Sequence, residues 1–371
     1  LNTRLERLLG PEAEDVWAMT FHSACVRILR RDIDKLGFDR SFTIYDTADS
    51  VTLMKRVLKD LDMDEKVYPP KAVLAQISSA KDAMTDPEGF AAEAEKSYDV
   101  RKKYIARAYA EYVVRLRKAN ALDFDDLLLH TVRLLQKFPE VREYYQKRFL
   151  HVLIDEYQDT NNLQYLFASI LAGGHGNICV VGDDAQSIYK FRGATIANIL
   201  NFEKQYKNAR VIRLEQNYRS TGHILSAANG VIRHNTERKG KELWTDNGEG
   251  EKIRLFVAQN ENDEAQYVAG QILAGVASGK NWKDYAVLYR MNAQSNQLEY
   301  ALKRNAIPYR VIGGVRFFDR AEIKDMVAYL CVIHNPEDNL RLSRIINSPP
   351  RGIGAKTLES AASLAAAEGR S

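Results

Sequence analysis

Two short apolar runs, Val152-Leu153-Ile154 and Ile178-Cys179-Val180-Val181, each give way to a pair of carboxylates, Asp155-Glu156 and Asp183-Asp184. Between them, apolar positions in NLQYLFASILAG recur at three-four spacing and close on glycine, which is a helical pattern. Strand, helix, strand predicts a βαβ unit whose parallel strands bring both acidic ends to one edge of a sheet. Open α/β sheets bind their ligands at that edge.

The same alternation runs through much of the chain. Val16-Trp17-Ala18-Met19 predicts a strand, FHSACVRILRRDIDKLG a helix and Phe42-Thr43-Ile44-Tyr45 another strand, with a helix cap at Asp46-Thr47. From about 48 to 147 only helical spacing is found, in TLMKRVLKDL, AVLAQISSAKDAM, VRKKYIARAYAEYVVRLRKA and DFDDLLLHTVRLLQKF. That stretch predicts a helical insertion in an α/β domain, its many cations forming a solvated face. After the acidic pair, ATIANILNFEKQY predicts a helix. Runs at 209–214, IRLFVA, YAVLYR and YRVIGG then predict the strands of a second parallel α/β domain, alternating with EAQYVAGQILAGV and QSNQLEYALKRN. The join falls near 206–208, and beyond Pro336 the pattern turns helical again.

Composition narrows this little. A chain of 371 residues, 45% hydrophobic and 27% charged, is long enough for two to four domains. A balance of 53 basic against 49 acidic residues leaves +4, too small to demand a polyanionic partner and too small to exclude a local basic groove. Cys25, Cys179 and Cys331 are far apart in apolar contexts, which predicts reduced core thiols of a cytoplasmic protein and no metal cluster. No apolar run is long enough to span a bilayer.

A strand ending Asp-Glu suits metal-assisted nucleotide hydrolysis. Asp155 would hold Mg²⁺ and Glu156 would orient or deprotonate water. Gln186, just beyond the second acidic end, would bond a terminal phosphate oxygen. Ser187-Ile188-Tyr189-Lys190-Phe191-Arg192 interleaves rings and cations, a mixture that suits single-stranded nucleic acid. Asn217-Tyr218-Arg219-Ser220-Thr221 offers an arginine finger and a base-stacking ring. A P-loop, G-x-x-x-x-G-K-[ST], occurs nowhere; the run from Gly275 to Asn281 is one residue short and lacks the hydroxyl.

LIDEYQDTN, VVGDDAQSIYKFRGA and LEQNYRST resemble motifs II, III and IV of the UvrD/PcrA/Rep superfamily I DNA helicases, the PcrA branch most of all. TFHSACVRILRRD, ALDFDDLLL, AVLYRMNAQS, YRVIGGVRFFDRAEIKD and SPPRGIGAKT resemble further family segments in the family's order. The resemblance implies two RecA-like α/β domains, both incomplete, with helical insertions. Subdomain 1A would take 1–47 and 122–208, 1B 48–121, 2A 209–336, and the start of 2B 337–371. It implies an ATP- and Mg²⁺-dependent helicase and translocase moving 3′ to 5′ on single-stranded DNA and at single-strand/duplex junctions. Repair or replication proteins would be its partners.

Asp155 and Glu156 would then serve Mg²⁺ and the attacking water, Gln186 would sense the γ-phosphate, Arg219 would act as the finger and Tyr218 would stack on adenine. Thr20, His22, Tyr189, Phe191, Arg192, Asn292 and Arg316 match positions along the single-strand track. Arg351, Gly352 and Gly354 match a hairpin that grips duplex phosphate through backbone N–H groups. Ala185 stands where the family usually has Asp, Asn296 where it often has Arg, and Phe191 where it often has Trp. With no P-loop or motifs V and VI, the resemblance implies an internal piece of a helicase that is inactive alone. The helicase part of a helicase-nuclease and a non-catalytic DNA-binding or docking module remain as alternatives.

Overall fold

The computed structural model describes residues 2–190, 193–235, 240–313 and 320–368. Two compact units emerge, one made of Leu1–Ile212, Asn235–Gly240 and Ala321–Ser371, the other of Arg213–His234 and Lys241–Arg320.

In the first unit, α1 (Asn2–Leu9) and a 3-10 turn lead to α2 (Phe21–Asp32). The Thr20 hydroxyl caps α2 by accepting from the Ser23 amide at 3.3 Å. After β1 (Thr43–Ile44) come four helices: α3 (Thr47–Asp60), α4 (Pro70–Asp82), α5 (Pro87–Lys96) and α6 (Val100–Lys118). β2 (Ala121–Leu122) then pairs parallel with β1, Thr43 opposite Ala121. α7 (Phe124–Lys137) and α8 (Pro139–Arg148) precede the βαβ unit itself, β3 (Val152–Ile154), α9 (Asn162–Ala172) and β4 (Ile178–Val180). Short α10 (Ala197–Leu200) and α11 (Phe202–Gln205) close this stretch.

Capping chemistry sets the starts of three of these helices. Asp46 with Asp49, Asp123 with Asp126, and Asn161 with Gln164 each form a capping box, satisfying two orphan amides apiece. Two apolar cores follow. Cys25, Ile28 and Leu29 of α2 pack on Leu128, Val132 and Leu135 of α7 and on Phe167 of α9. Met54 and Leu58 of α3, Ile77 of α4 and Tyr109 and Tyr112 of α6 form the other, which Leu340 joins from further along the chain.

A buried ion cluster ties these cores together. The Lys81 ammonium, at the end of α4, lies 2.6 Å from Asp123 Oδ2 and 2.8 Å from Asp126 Oδ1. The Tyr112 hydroxyl donates to the same Asp123 oxygen at 3.0 Å. The neighbouring Asp82 carboxylate accepts from the Leu163 amide, and Asn162 donates to the Asp82 carbonyl. The helical insertion is thus anchored at the first turn of α9.

The second unit contains α12 (Gly222–Ile232), α13 (Glu261–Ala277) and α14 (Ser295–Arg304). Ala265, Ala269 and Ile272 of α13 pack on Ala301 and Leu302 of α14 and on Ile307. The chain then returns to the first unit as α15 (Ala321–His334), α16 (Asn339–Ile345) and α17 (Ala355–Ala367). Asn335 bonds Thr43 and the Ala119 and Asn120 carbonyls, Asp338 accepts from the Tyr45 hydroxyl at 2.6 Å, and Arg341 meets Asp49 at 2.6 Å.

Several sequence expectations differ from what is seen. Residues 16–19 form no ladder; Trp17 instead packs edge-on against Phe149 and beneath the Arg27 guanidinium. The strands expected for the second α/β domain at 209–214, 253–258, 285–290 and 309–313 run without regular pairing, leaving Leu255, Val257 and Leu288 exposed. Parallel strands need a partner on the same sheet to satisfy their amides, and the described residues supply one only as the isolated Gln216–Trp244 bridge. Helix resumes at Ala321, before Pro336. Of the expected core thiols, Cys25 is fully buried, whereas Cys179 is exposed on a face of β3–β4 that also leaves Leu153 75% exposed. No helix of the described residues is long and apolar enough to cross a membrane.

Candidate active site

β3 and β4 pair in parallel with Val152 opposite Ile178 and Ile154 opposite Val180. Their ladder continues one step past the strands, Val181 donating to the Ile154 carbonyl at 2.8 Å and Tyr157 to the Val181 carbonyl at 3.0 Å. Asp155-Glu156 and Gly182-Asp183 therefore leave the sheet side by side, as the sequence pattern predicts.

Each residue there is held differently. Asp155 is exposed, and its Oδ1 accepts from the Glu156 amide at 3.0 Å. Glu156 adopts a left-handed backbone (φ 52°, ψ 41°), which a residue other than glycine enters only at a cost of about 1–3 kcal/mol. Its carboxylate accepts from Gln158 Nε2 at 2.7 Å. Asp159 carries a buried Oδ1 without a hydrogen-bond partner, and burial, then the Glu156 charge, raise its pKa above the ordinary carboxylate range.

On the neighbouring loop, Asp183 Oδ1 accepts from the Ala185 amide at 2.9 Å and Oδ2 from Gln186 Nε2 at 2.7 Å. Gln186 is exposed and lies at the end of the 3-10 turn Asp184–Gln186. Tyr189 is exposed, and its carbonyl accepts from the Ala194 amide at 3.3 Å. Ser187, Thr195 and Asn198 bond back to the carbonyls of Gln158, Thr160 and Asn161, so the loop after β4 is stitched to the turn after β3.

Thr20 and His22 open α2 beside the same sheet edge. With Asp155 they line a cavity of about 410 Å³ walled by Trp17, Phe21, Phe149 and Phe167. The His22 ring meets Phe124 edge-on, and burial lowers its pKa against the opposing pull of Asp125. Burial thus favours the neutral form of the His22 imidazole.

In the second unit, Asn217 Oδ1 accepts from the amides of Arg219 and Ser220, an Asx turn that presents Arg219 to solvent ahead of α12. Tyr218 is 79% exposed with its hydroxyl on Gln216 Oε1. Asn292 begins a 3-10 turn and is exposed. Arg351 spends its guanidinium internally, on the carbonyls of Ile345 and Ile346 and on the Tyr329 hydroxyl. Asn347 clasps Ile353 from both sides of its peptide, and Gly352 takes φ 71°, leaving the Gly352–Gly354 backbone exposed in a fixed turn. Phe191, Arg192 and Arg316 lie outside the described residues.

The structure thus gathers Thr20, His22, Asp155, Glu156, Gln186 and Tyr189 in one unit, and Tyr218, Arg219 and Asn292 in the other. Sequence reasoning missed Gln158, 1% exposed directly beneath the acidic pair. The signal was present as a glutamine two residues past Asp-Glu, preceding a helix cap.

The UvrD/REP helicase N-terminal domain family matches residues 1–207. The UvrD-like helicase C-terminal domain family matches residues 212–367. The ATP-dependent DNA helicase PcrA of Bacillus subtilis (strain 168) is 50% identical over 372 residues, covering 100% of this chain and 50% of that protein. PcrA of Staphylococcus epidermidis (strain ATCC 12228) is 48% identical over 359 residues, 97% of this chain and 49% of that protein. PcrA of Staphylococcus aureus (strain COL) is 47% identical over 360 residues, with the same coverage. The chain spans about half the length of the curated relatives it matches. The helix-rich α/β architecture with small parallel sheets fits the RecA-like P-loop NTPase fold.

Proposed function

The chain belongs to the UvrD/REP helicase family, and on that premise we propose that it is part of an ATP-dependent DNA helicase that translocates 3′ to 5′ on single-stranded DNA. The observation that carries the reading is the pair of acidic strand ends leaving β3 and β4 abreast, with Gln186 on the same edge.

Mg²⁺ suits this donor set, because it binds through one or two carboxylates and completes its shell with water and substrate phosphates. Asp155 offers one exposed carboxylate, and no cage of three ligating side chains forms among the described residues. When bound with ATP, the ion supplies charge neutralisation at the transferring phosphoryl group. Asp155 would hold it, and Glu156 would orient and accept a proton from the attacking water. The Gln186 amide would report the terminal phosphate to the loop carrying Tyr189, Phe191 and Arg192, where aromatic rings and cations favour single-stranded DNA.

Arg219 as finger and Tyr218 as adenine-stacking ring are the second unit's part in the proposal. Thr20, His22, Asn292 and Arg316 are assigned to the DNA track. At the 351–354 turn, Gly352 and Gly354 would meet duplex phosphate through backbone amides, with Arg351 bracing the turn from behind. Subdomain limits of 1–47 with 122–208, 48–121, 209–336 and 337–371 belong to the same proposal.

Strand displacement by the full-length protein tests it. With ATP and Mg²⁺, a duplex with a 3′ single-stranded tail should be unwound and one with a 5′ tail left intact. Unwinding of the 5′-tailed duplex alone, or of neither, overturns the reading.

A further inference from the structure

Gln158 sits beneath the acidic pair, closed off from solvent, and both ends of its amide are engaged. Its Nε2 donates to Glu156 Oε2 at 2.7 Å, and its Oε1 accepts from the Asp183 amide at 2.9 Å. The amide orientation follows from chemistry alone, since a carboxylate has no proton to give and a backbone N–H cannot accept. Beyond Asp183 the chain of bonds continues, because Asp183 Oδ2 accepts from Gln186 Nε2 at 2.7 Å. Four residues on two loops thus run in series, Glu156, Gln158, Asp183 and Gln186, with Asp183 joined to Gln158 through its main-chain amide and to Gln186 through its carboxylate.

We propose that Gln158 is a positioning residue that fixes the Glu156 carboxylate and links it, through Asp183, to Gln186, so that phosphate sensing and water activation are mechanically one unit. This rests on the reading of Glu156 as the hydrolytic base and Gln186 as the sensor. Three features favour a coupling device over an incidental core contact. A buried glutamine is costly unless every bond is made, and here each terminal atom has one partner in the site. Glu156 is held in a strained left-handed backbone, which persists only where surroundings over-determine it. Gly182 is the third. A Cβ there would meet Gln158 Oε1 at 2.6 Å and Ile199 Cδ1 at 2.8 Å, so any side chain at the strand end would have to displace the bonded Gln158 amide.

In this arrangement Gln186 has two acceptors to choose between. With no terminal phosphate it rests on Asp183. When it turns to a phosphate oxygen, it releases Asp183, and that change reaches Glu156 through one buried amide. A carboxylate or a thioether in place of Gln158 breaks the chain at its middle while filling the same space.

The test uses the full-length protein with single-stranded DNA and compares E156Q, Q158E, Q158M and Q186A. Q158E places an oxygen against Glu156 in place of a donor, and Q158M removes both bonds. Each should lower kcat for ATP hydrolysis by about 10²-fold, the loss expected for a misplaced catalytic group, with KM for ATP within about twofold. The Q158M/Q186A double variant should be no worse than the poorer single, as for residues acting as a unit. The swap E156Q/Q158E, in which the amide and carboxylate exchange places, should recover the melting temperature lost in Q158E while remaining inactive.

A fall in kcat matched by a rise in KM, or additive losses in the double variant, would assign Gln158 a merely structural role. Inactive E156Q beside fully active Q158E and Q158M would remove Gln158 from the mechanism. Full activity in E156Q would instead overturn the underlying assignment of Glu156, and the melting data would still report whether the bond exists.

Discussion

Replacing Lys81 with methionine probes the joint that holds the helical insertion against the start of α7. The ammonium is 0% exposed and lies within 2.8 Å of two carboxylates on the first turn of α7. Burial alone would lower the Lys81 pKa, but Asp123 and Asp126 outweigh it and raise it above the ordinary lysine range. Methionine fills the same volume and leaves two buried carboxylates facing each other without their cation.

Breaking a buried ion pair by removing one partner costs about 3–5 kcal/mol. The lower end applies here, since Tyr112 and the two capping-box amides continue to donate to the carboxylates. About 3 kcal/mol corresponds to a melting shift of roughly 6–12 °C, at 2–4 °C per kcal/mol for a chain of this order of size.

The deficit should also depend on pH in a definite direction. Burial, and then Asp126, raise the Asp123 pKa against the pull of Lys81, so loss of Lys81 raises it further. A carboxyl whose folded pKa lies above its unfolded value favours folding at acid pH, and that contribution is lost as pH rises through the folded value. K81M should therefore melt furthest below the parent chain at pH 8 and recover part of the gap at pH 5. Circular dichroism melts at both values check this. A variant within about 1 °C of the parent chain at pH 8, or a gap that widens at pH 5, would refute the reasoning.

Gly182→Ala should lower the melting temperature, corresponding to a loss of about 1–3 kcal/mol, because its Cβ would strike the Gln158 side-chain oxygen Oε1. Thermal melts of this chain measure it. Maleimide labelling at neutral pH should modify Cys179 first and leave Cys25 unreacted until the chain unfolds. Cys179 is exposed, whereas burial pushes the Cys25 thiol up to about 12; mass spectrometry of the labelled peptides decides the order. This chain alone should show no DNA-stimulated ATP hydrolysis, since no Gly-rich phosphate loop with its lysine occurs in it. Phosphate release above the DNA-free rate would contradict that.

The βαβ unit was legible because its signals are local. Apolar runs and three-four spacing act within a few residues, and the structure places α9 between β3 and β4 accordingly. The expected cap at Asp46 is local in the same way. What escaped depends on partners distant in sequence. The runs at 253–258 and 285–290 have strand composition but no ladder among the described residues, and Val16-Trp17-Ala18-Met19 yields to aromatic packing around Trp17. Cys179 has the apolar neighbours of a core residue, yet among the described residues it is exposed.

In the candidate site the charged residues were found because carboxylates at strand ends are conspicuous. Gln158 was not, because its meaning lies in Asp183, 25 residues further on, whose amide it accepts. Lys81 is a similar case. In the sequence it is one cation on a basic helical stretch, and only the fold brings two carboxylates to it.

Single-turnover ATP hydrolysis by the full-length protein carrying Glu156→Gln, with Mg²⁺ and single-stranded DNA, tests the assignment of the acidic strand end most directly. The account predicts a loss of about 10²–10⁴-fold in the hydrolysis rate, the worth of a positioned general base, with nucleotide affinity unchanged. Hydrolysis within about tenfold of the parent protein would contradict it and move the chemistry away from the end of β3.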